Sequence, residues 1–399
     1  MTSAARPGAL EGLKVLDLTH ARAGPTCVRQ LADMGADVIQ VASPERGDLG
    51  GSDAHNLHRG KRSIAIDLKS EAGYEVFLRL VSEADVLVEN FRAGVKHRLK
   101  IDYETLSAAH PRLVYASLSG FGQTGPYRDR PGYDQIAQGL GGLMSVTGPP
   151  GGGPWRVGIA ISDTAAGTFL TQGVLAALLA RERSGRGQWV HTSLLESMIN
   201  FMDFQATRWT IDGVVPGQAG NDHPTVFPMG AYRTADGYIN IAAPTDWERT
   251  ARALEAPELA ADPRFASHRA RLENRSALQA AIEEKLATRP SREWVEILNR
   301  ADIACGPVLA LDEVFADPQV RHLEMTAEVE HPDDETVALL RLPLTFSETP
   351  ASVRGPMPRG GGHTREILAE HGYSTERIDE LVDSGAVATE TRPVRWPGA

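Results

Sequence analysis

Two short apolar runs, at positions 15–18 and 38–41, flank a segment at 25–34 that reads as a helix, and no other feature constrains the fold as much. Pro25 suits a first helical position, because its missing N–H would have no partner there, and Gly35 suits the residue just past the end. Strand, helix and strand in quick succession make a βαβ unit, so the two strands lie parallel in an α/β sheet. The chain is read as lacking a GxGxxG motif, and a nicotinamide or flavin dinucleotide site is not indicated.

The pattern continues with strands expected at 63–66, 85–89 and 113–118 and a helix at 72–84. A strand at 159–162 is expected to run into an apolar helix over 164–183, and one at 189–192 into a helix starting near Leu194. Composition shifts after Trp209: residues 212–227 are rich in glycine and proline and read as a linker. Residues 232–243 alternate around Asp236-Gly237, a hairpin signal, and amphipathic helices follow to about Arg300, which together suggest a smaller α+β domain. A second irregular stretch surrounds 342–358, and 363–386 is expected to be mostly helical.

The 399 residues are too many for one ordinary core. A net charge of −11 argues against a nucleic-acid partner, which needs a basic stripe. No apolar run approaches the ~18–20 residues that cross a bilayer, so no membrane partner is expected. The first ten residues lack a secretory pattern, and Cys27 and Cys305 offer neither a disulfide framework nor metal-ligand spacing; a reducing cytoplasm and no metal site are the expectation.

Asp163, in Gly158-Ile-Ala-Ile-Ser-Asp-Thr-Ala-Ala-Gly167, lies at an expected strand-to-helix junction. Two readings stand. Aspartate is a favoured helix N-cap. A carboxylate at the edge of an α/β sheet, among small residues, is also where ligands are met, and nearby N–H groups could stabilise an oxyanion. With a reference pKa of ~3.9 it needs no base to be a nucleophile at neutral pH. Asn90, Phe91 and the basic cluster Lys96, His97, Arg98 and Lys100 follow another strand end, and with Lys69 they read either as a solvated face or as contacts to a phosphorylated ligand. Tyr133 could pack or donate its hydroxyl to a carbonyl; His20 and Arg22 leave the first strand.

Taken in order, Leu10-Glu-Gly-Leu-Lys-Val-Leu-Asp-Leu-Thr19, Ala23-Gly-Pro25, Arg59-Gly-Lys-Arg-Ser-Ile-Ala-Ile-Asp-Leu-Lys69, Asp85-Val-Leu-Val-Glu-Asn-Phe-Arg92, Pro131-Gly-Tyr-Asp134 and Ser184-Gly-Arg-Gly-Gln188 carry a resemblance. The chain resembles the class III coenzyme A-transferases (the formyl-CoA transferase and carnitine CoA-transferase family, CaiB/BaiF type) over nearly its whole length. The resemblance implies a Rossmann-like large domain holding both chain ends, a smaller α+β domain, and an interlocked homodimer. It places a first part of the large domain at 1–211, linkers at 212–227 and 326–358, the small domain at 228–325, and a return to the large domain at 359–399. It implies no tightly bound cofactor; a CoA thioester is the substrate.

By that resemblance Asp163 attacks the donor acyl-CoA, giving an aspartyl anhydride and CoA thiolate, and then an aspartyl-CoA thioester that hands CoA to an acceptor acid. Asn90, Phe91, Arg98, Lys69, Ile66, Ala21 and Arg22 match CoA contacts, and Tyr133, Arg22 and His20 match the substrate pocket. Formyl-CoA transferase has Gln where Arg22 stands, an arginine where Ser43 stands, and a glycine-rich lid where this chain has Ala242-Ala-Pro-Thr-Asp246. Formate and oxalate are therefore not expected, and Arg22 suits a second carboxylate, as in succinate. The rivals are a 2-methylacyl-CoA racemase, which needs a histidine base at the place of Tyr133, and a non-catalytic acyl-CoA-binding protein.

Overall fold

The computed structural model describes residues 6–45, 47, 50–243, 245–331 and 336–392. The first residues of the chain (1–5), Pro244 of the expected lid stretch, part of the expected second linker (332–335) and the end of the return segment (393–399) lie outside the described residues.

The strands, in chain order, are β1 (Lys14–Leu18), β2 (Asp37–Ala42), β3 (Arg62–Ile66), β4 (Val86–Glu89), β5 (Val114–Ser119), β6 (Trp189–Ser193), β7 (Met229–Arg233), β8 (Tyr238–Ala242), β9 (Ala304–Pro307), β10 (Thr326–Glu330), β11 (Thr336–Leu340) and β12 (Val387–Ala388). Contacts divide the chain into two units: Met1–Leu143, Val157–Thr207 and Glu324–Ala399 form one, Met144–Arg156 and Arg208–Leu323 the other.

In the first unit the sheet order is β12-β3-β2-β1-β4-β5-β6. Neighbours from β3 to β6 run parallel, and β12 closes the β3 edge antiparallel. The chain moves outward from β1 through β2 and β3, then from β4 through β5 and β6, so order reverses between β1 and β4. That is a topological switch point, where ligands of such sheets sit at the carboxyl ends of the strands. Side chains alternate as strand geometry demands. Val15, Val38, Val86 and Val88 pack with Val28, Leu31, Ala166 and Leu170 of the helices Ala23–Asp33 and Ile161–Ser184. Leu16, Ile39 and Leu87 face the other way, onto Phe77, Leu80, Ile367 and Leu381. Burial on both faces explains why these strands read as nearly continuous apolar runs.

The second unit has an antiparallel sheet in the order β7-β8-β9, covered by helices that include Arg275–Leu286 and Ser291–Arg300. Tyr232, Ile239, Ile241, Leu278, Ile282, Trp294 and Leu298 form its core. The segment 144–156, which sequence placed in the large domain, clusters here instead. Within the stretch expected to be a linker, β10 and β11 pair as an antiparallel hairpin. Among the described residues no helix is long and apolar enough to cross a membrane.

Candidate active site

At the switch point two loops are tied together before any ligand is considered. The side chain of Asn90, just past β4, accepts a hydrogen bond from the His20 N–H at 2.9 Å and donates to the His20 carbonyl at 2.8 Å. The His20 ring stands edge-on to Phe91 at 5.7 Å. Ala21 takes a left-handed φ of 61°, rare for a residue with a Cβ, which turns the chain sharply toward Arg22.

Beneath these loops lie buried ion pairs. Lys61 donates to Asp17 at 2.8 Å, and Asp17 also accepts from the N–H and hydroxyl of Thr19. Both side chains are closed off from water. Burial alone would raise the Asp17 pKa, but Lys61, with Thr19 and His58, wins and holds it below the ordinary value. Glu89 is likewise buried and accepts from the Phe91 N–H at 2.8 Å and from Lys96 at 3.0 Å. Lys96 also donates to Gln123 at 2.7 Å and sits 4.9 Å from the centre of the Trp189 ring. Lys96 thus belongs to the interior, not to the basic surface cluster that sequence suggested: its ammonium is already spent on Glu89 and Gln123.

Asp163 presents the opposite case. No strand precedes it; the helix starts at Ile161 after an irregular 153–160, and the N-cap position is Ala160, which makes no side-chain cap. Asp163 therefore stands in the first turn and is not the cap. The capping duty falls to Asp134, from the helix Asp134–Leu140, whose carboxylate accepts the Ser162 N–H at 2.9 Å and the Ser162 hydroxyl at 2.8 Å. Gln138 holds the other Asp134 oxygen at 2.7 Å. One turn beyond Asp163, Gly167 presses on the helix Ala23–Asp33: an added Cβ would come within 2.5 Å of the Ala23 carbonyl oxygen and 2.8 Å of Thr26. The close approach explains this glycine and brings the first turn of one helix against the start of the other, beside Arg22.

The half-buried Asp163 carboxylate makes no hydrogen bond or ion pair among the described residues. Burial, with Asp134 nearby, pushes its pKa up to about 6, against the smaller pull of Arg22. A helix N-terminus favours an anion by only ~0.3–1 kcal/mol, whereas a rise of about two pKa units is ~3 kcal/mol, so desolvation dominates. The result is an anion at neutral pH that is poorly solvated and more basic than a free aspartate, a good nucleophile.

The other expected residues separate into groups. Tyr133 is 71% exposed and directly precedes Asp134. Arg98 is exposed on the helix Ala93–Arg98, and its guanidinium makes no hydrogen bond or ion pair among the described residues. Lys69 is exposed and only loosely placed 3.8 Å from Glu45. Ile66 is buried in the core, where it pairs with Val387, so only its backbone could meet a ligand. Arg22 donates to Asp53 at 2.5 Å, so the guanidinium expected to wait for a substrate carboxylate already holds an internal one.

Sequence reasoning missed Asp53, Asp134, Glu89 and the Asp17–Lys61 pair as members of this region, although all but Asp53 lie inside the motifs that carry the resemblance. The reading that GxGxxG is lacking is also corrected: Gly120-Phe-Gly-Gln-Thr-Gly125 has that spacing after β5. No helix opens on it, the next starting at Asp134, so the dinucleotide geometry is absent from that turn. Among the described residues His97, Asp102 and Glu104 are close enough to share a cation, but His97 and Glu104 are exposed and Asp102 caps the helix Tyr103–Ala109.

Comparison with known proteins shows what the whole chain is similar to. The family model described as CoA-transferase family III matches residues 10–364. The chain is 38% identical to a succinyl-CoA:mesaconate CoA-transferase from Haloarcula hispanica, covering 92% of this chain and 98% of that protein. It is 36% identical to a succinate–glutarate CoA-transferase from Agrobacterium fabrum, over 90% and 95% respectively. The crystal structure of a CAIB/BAIF family protein from Brucella suis is similar, with a TM-score of 0.83 and 36% identity over 92% of this chain and 100% of that one.

Proposed function

The chain belongs to CoA-transferase family III, and from that premise we propose that it moves CoA from a dicarboxylyl-CoA, such as succinyl-CoA, to a second carboxylic acid through Asp163. The observation that carries the reading is the Asp163 carboxylate in the first turn of its helix, under the influence of Arg22 and unpaired among the described residues. Its oxygen attacks the thioester carbonyl; the C–S bond breaks, CoA thiolate leaves, and a mixed anhydride forms. The thiolate attacks the aspartyl carbonyl, releasing the donor acid and leaving an aspartyl-CoA thioester. The acceptor carboxylate displaces the thiolate to form a second anhydride. Thiolate attack on the acceptor's acyl carbon then yields the new acyl-CoA and restores the Asp163 carboxylate.

In this reading Asn90, Phe91, the exposed Arg98 and Lys69, and the backbone at Ile66 and Ala21 hold CoA, while His20, Tyr133 and Arg22 line the acyl pocket. The Arg22–Asp53 pair is a single contact between partly exposed side chains, worth ~0–1 kcal/mol. Arg22 therefore keeps donors for a second carboxylate, a charged hydrogen bond worth ~1.5–3 kcal/mol. The subunit is read as one of an interlocked pair, which the exposed Ile136, Ile199, Phe201 and Phe204 favour, since such surface is usually covered. Its two cysteines are free thiols, which suits a reducing cytoplasm.

Steady-state kinetics with matched mono- and dicarboxylic donors and acceptors, oxalate included, test the reading. Wild type should prefer dicarboxylates, and Arg22→Gln should lose that preference by about ten- to a hundredfold. Unchanged selectivity would remove Arg22 from the acyl site, and no transfer from any acyl-CoA would refute the proposed substrate class.

A further inference from the structure

A carboxylate nucleophile beside an arginine faces a hazard: the two can pair. A paired Asp163 would be a weaker nucleophile, with its lone pairs occupied and its pKa lowered by ~1–3 units. Arg22 is the cation acting on Asp163, and the packing of Gly167 against Ala23 and Thr26 puts the two residues at the same end of two touching helices. Yet the Arg22 guanidinium is turned to Asp53, in the first turn of the helix Ser52–His58, at 2.5 Å.

Among the described residues the surroundings supply no substitute for Asp53. Two turns along from Arg22, Arg29 has its Nε buried without a hydrogen-bond partner. Beyond it, Asp33 is taken by Arg59, at 3.1 and 2.6 Å. Three guanidinium groups (Arg22, Arg29, Arg59) thus share two carboxylates, Asp33 and Asp53. Without Asp53 the freed Arg22 charge would act on Asp163, which already feels it and has no hydrogen-bond or ion-pair partner among the described residues. The other charged group facing Asp163 is Asp134, which is committed to Ser162 and Gln138 and adds negative charge.

We propose that Asp53 is a positioning residue: by holding the Arg22 guanidinium it keeps that cation from closing on Asp163, and so leaves the nucleophile unpaired. The inference rests on Asp163 being the nucleophile. Its sign is definite. Removing Asp53 takes away a negative charge that raises the Asp163 pKa and frees a positive one that lowers it, so the acid limb of activity must move down and the rate on the plateau must fall.

The test is the rate of acylation of Asp163 in the full-length enzyme, trapped with hydroxylamine from one acyl-CoA donor, across about pH 4.5–8.5. Wild type should show an acid limb near the Asp163 pKa of about 6. Asp53→Asn should shift the limb down by about one unit or more and cut the plateau by about tenfold. Asp53→Glu should keep wild-type behaviour. In the double variant Asp53→Asn with Arg22→Gln, no guanidinium can close on Asp163, and the acid limb should return toward its wild-type position, whatever the loss of Arg22 from the acyl pocket does to the plateau. A purely structural role for Asp53 would not move the limb, nor be rescued by losing Arg22. An adduct on Asp163 with an unshifted limb in Asp53→Asn, or a double variant whose limb stays as low as that of the single one, overturns the inference alone. Absence of any wild-type adduct on Asp163 while CoA transfer proceeds overturns the nucleophile reading, and the inference with it.

Discussion

Asp17 and Asp163 are the same residue type in the same unit, and both are drawn away from water, but they meet opposite surroundings. Asp17, at the end of β1, is held by Lys61 and Thr19 and its pKa is lowered despite burial. Asp163, in a helix first turn, has no hydrogen-bond or ion-pair partner among the described residues, and burial pushes its pKa up to about 6. Glu89, at the end of β4, repeats the first arrangement with Lys96. The paired carboxylates hold the backbone of the loops that form the site, fixing Thr19 and the Phe91 N–H. The unpaired one has its charge left for chemistry. Perturbed carboxylates gather at functional sites for this reason, and the direction of the perturbation separates the supports from the reacting group.

The largest effect that would break the contrast is on turnover. Asp163→Ala should lower CoA transfer by about a thousandfold or more while acyl-CoA binding and the thermal transition persist. Asp17→Ala should instead destabilise the fold by ~3–5 kcal/mol, because it strands the buried Lys61 ammonium; urea denaturation measures this, and wild-type stability would erase the distinction between support and nucleophile. Next comes a difference of sign. The Asp163 pKa is higher folded than unfolded, so its charge destabilises the native state above about pH 6 and the penalty fades as pH falls toward the unfolded value of 3.8. Asp163→Asn should therefore be more stable than wild type at pH 8, by up to ~3 kcal/mol, with the gain shrinking toward pH 4. Asp17 works the other way: its lowered pKa gives stability that is present above 3.8 and lost as pH falls through the folded value. The smallest effect compares two basic neighbours. Arg98→Ala should raise KM for acyl-CoA several-fold, a loss of ~1–2 kcal/mol, at nearly constant kcat and stability. Lys96→Met should disturb the fold first.

The parallel core was legible because strands buried on both faces must be apolar along their length, and the βαβ rhythm of β1 and β2 followed from that. The hairpin of β10 and β11 was harder to see: one face of Thr326–Glu330 is charged, so its alternation resembles that of a solvated loop. Asp163 could be singled out because its setting recurs in an ordered set of motifs, but its helix start was misplaced by two or three residues, since Asp134 supplies the cap from a distant position. For the same reason the fates of Lys96 and Arg22 could not be read. Sequence shows that they are charged; only the fold shows that Glu89 and Asp53 have claimed them.

The most direct test of the account is peptide mass mapping after incubation with succinyl-CoA and then hydroxylamine. The account predicts a hydroxamate on the peptide holding Asp163 and none on the peptides holding Asp17 or Glu89. An unmodified Asp163 with transfer still running, or α-proton exchange from heavy water in place of transfer, would contradict it.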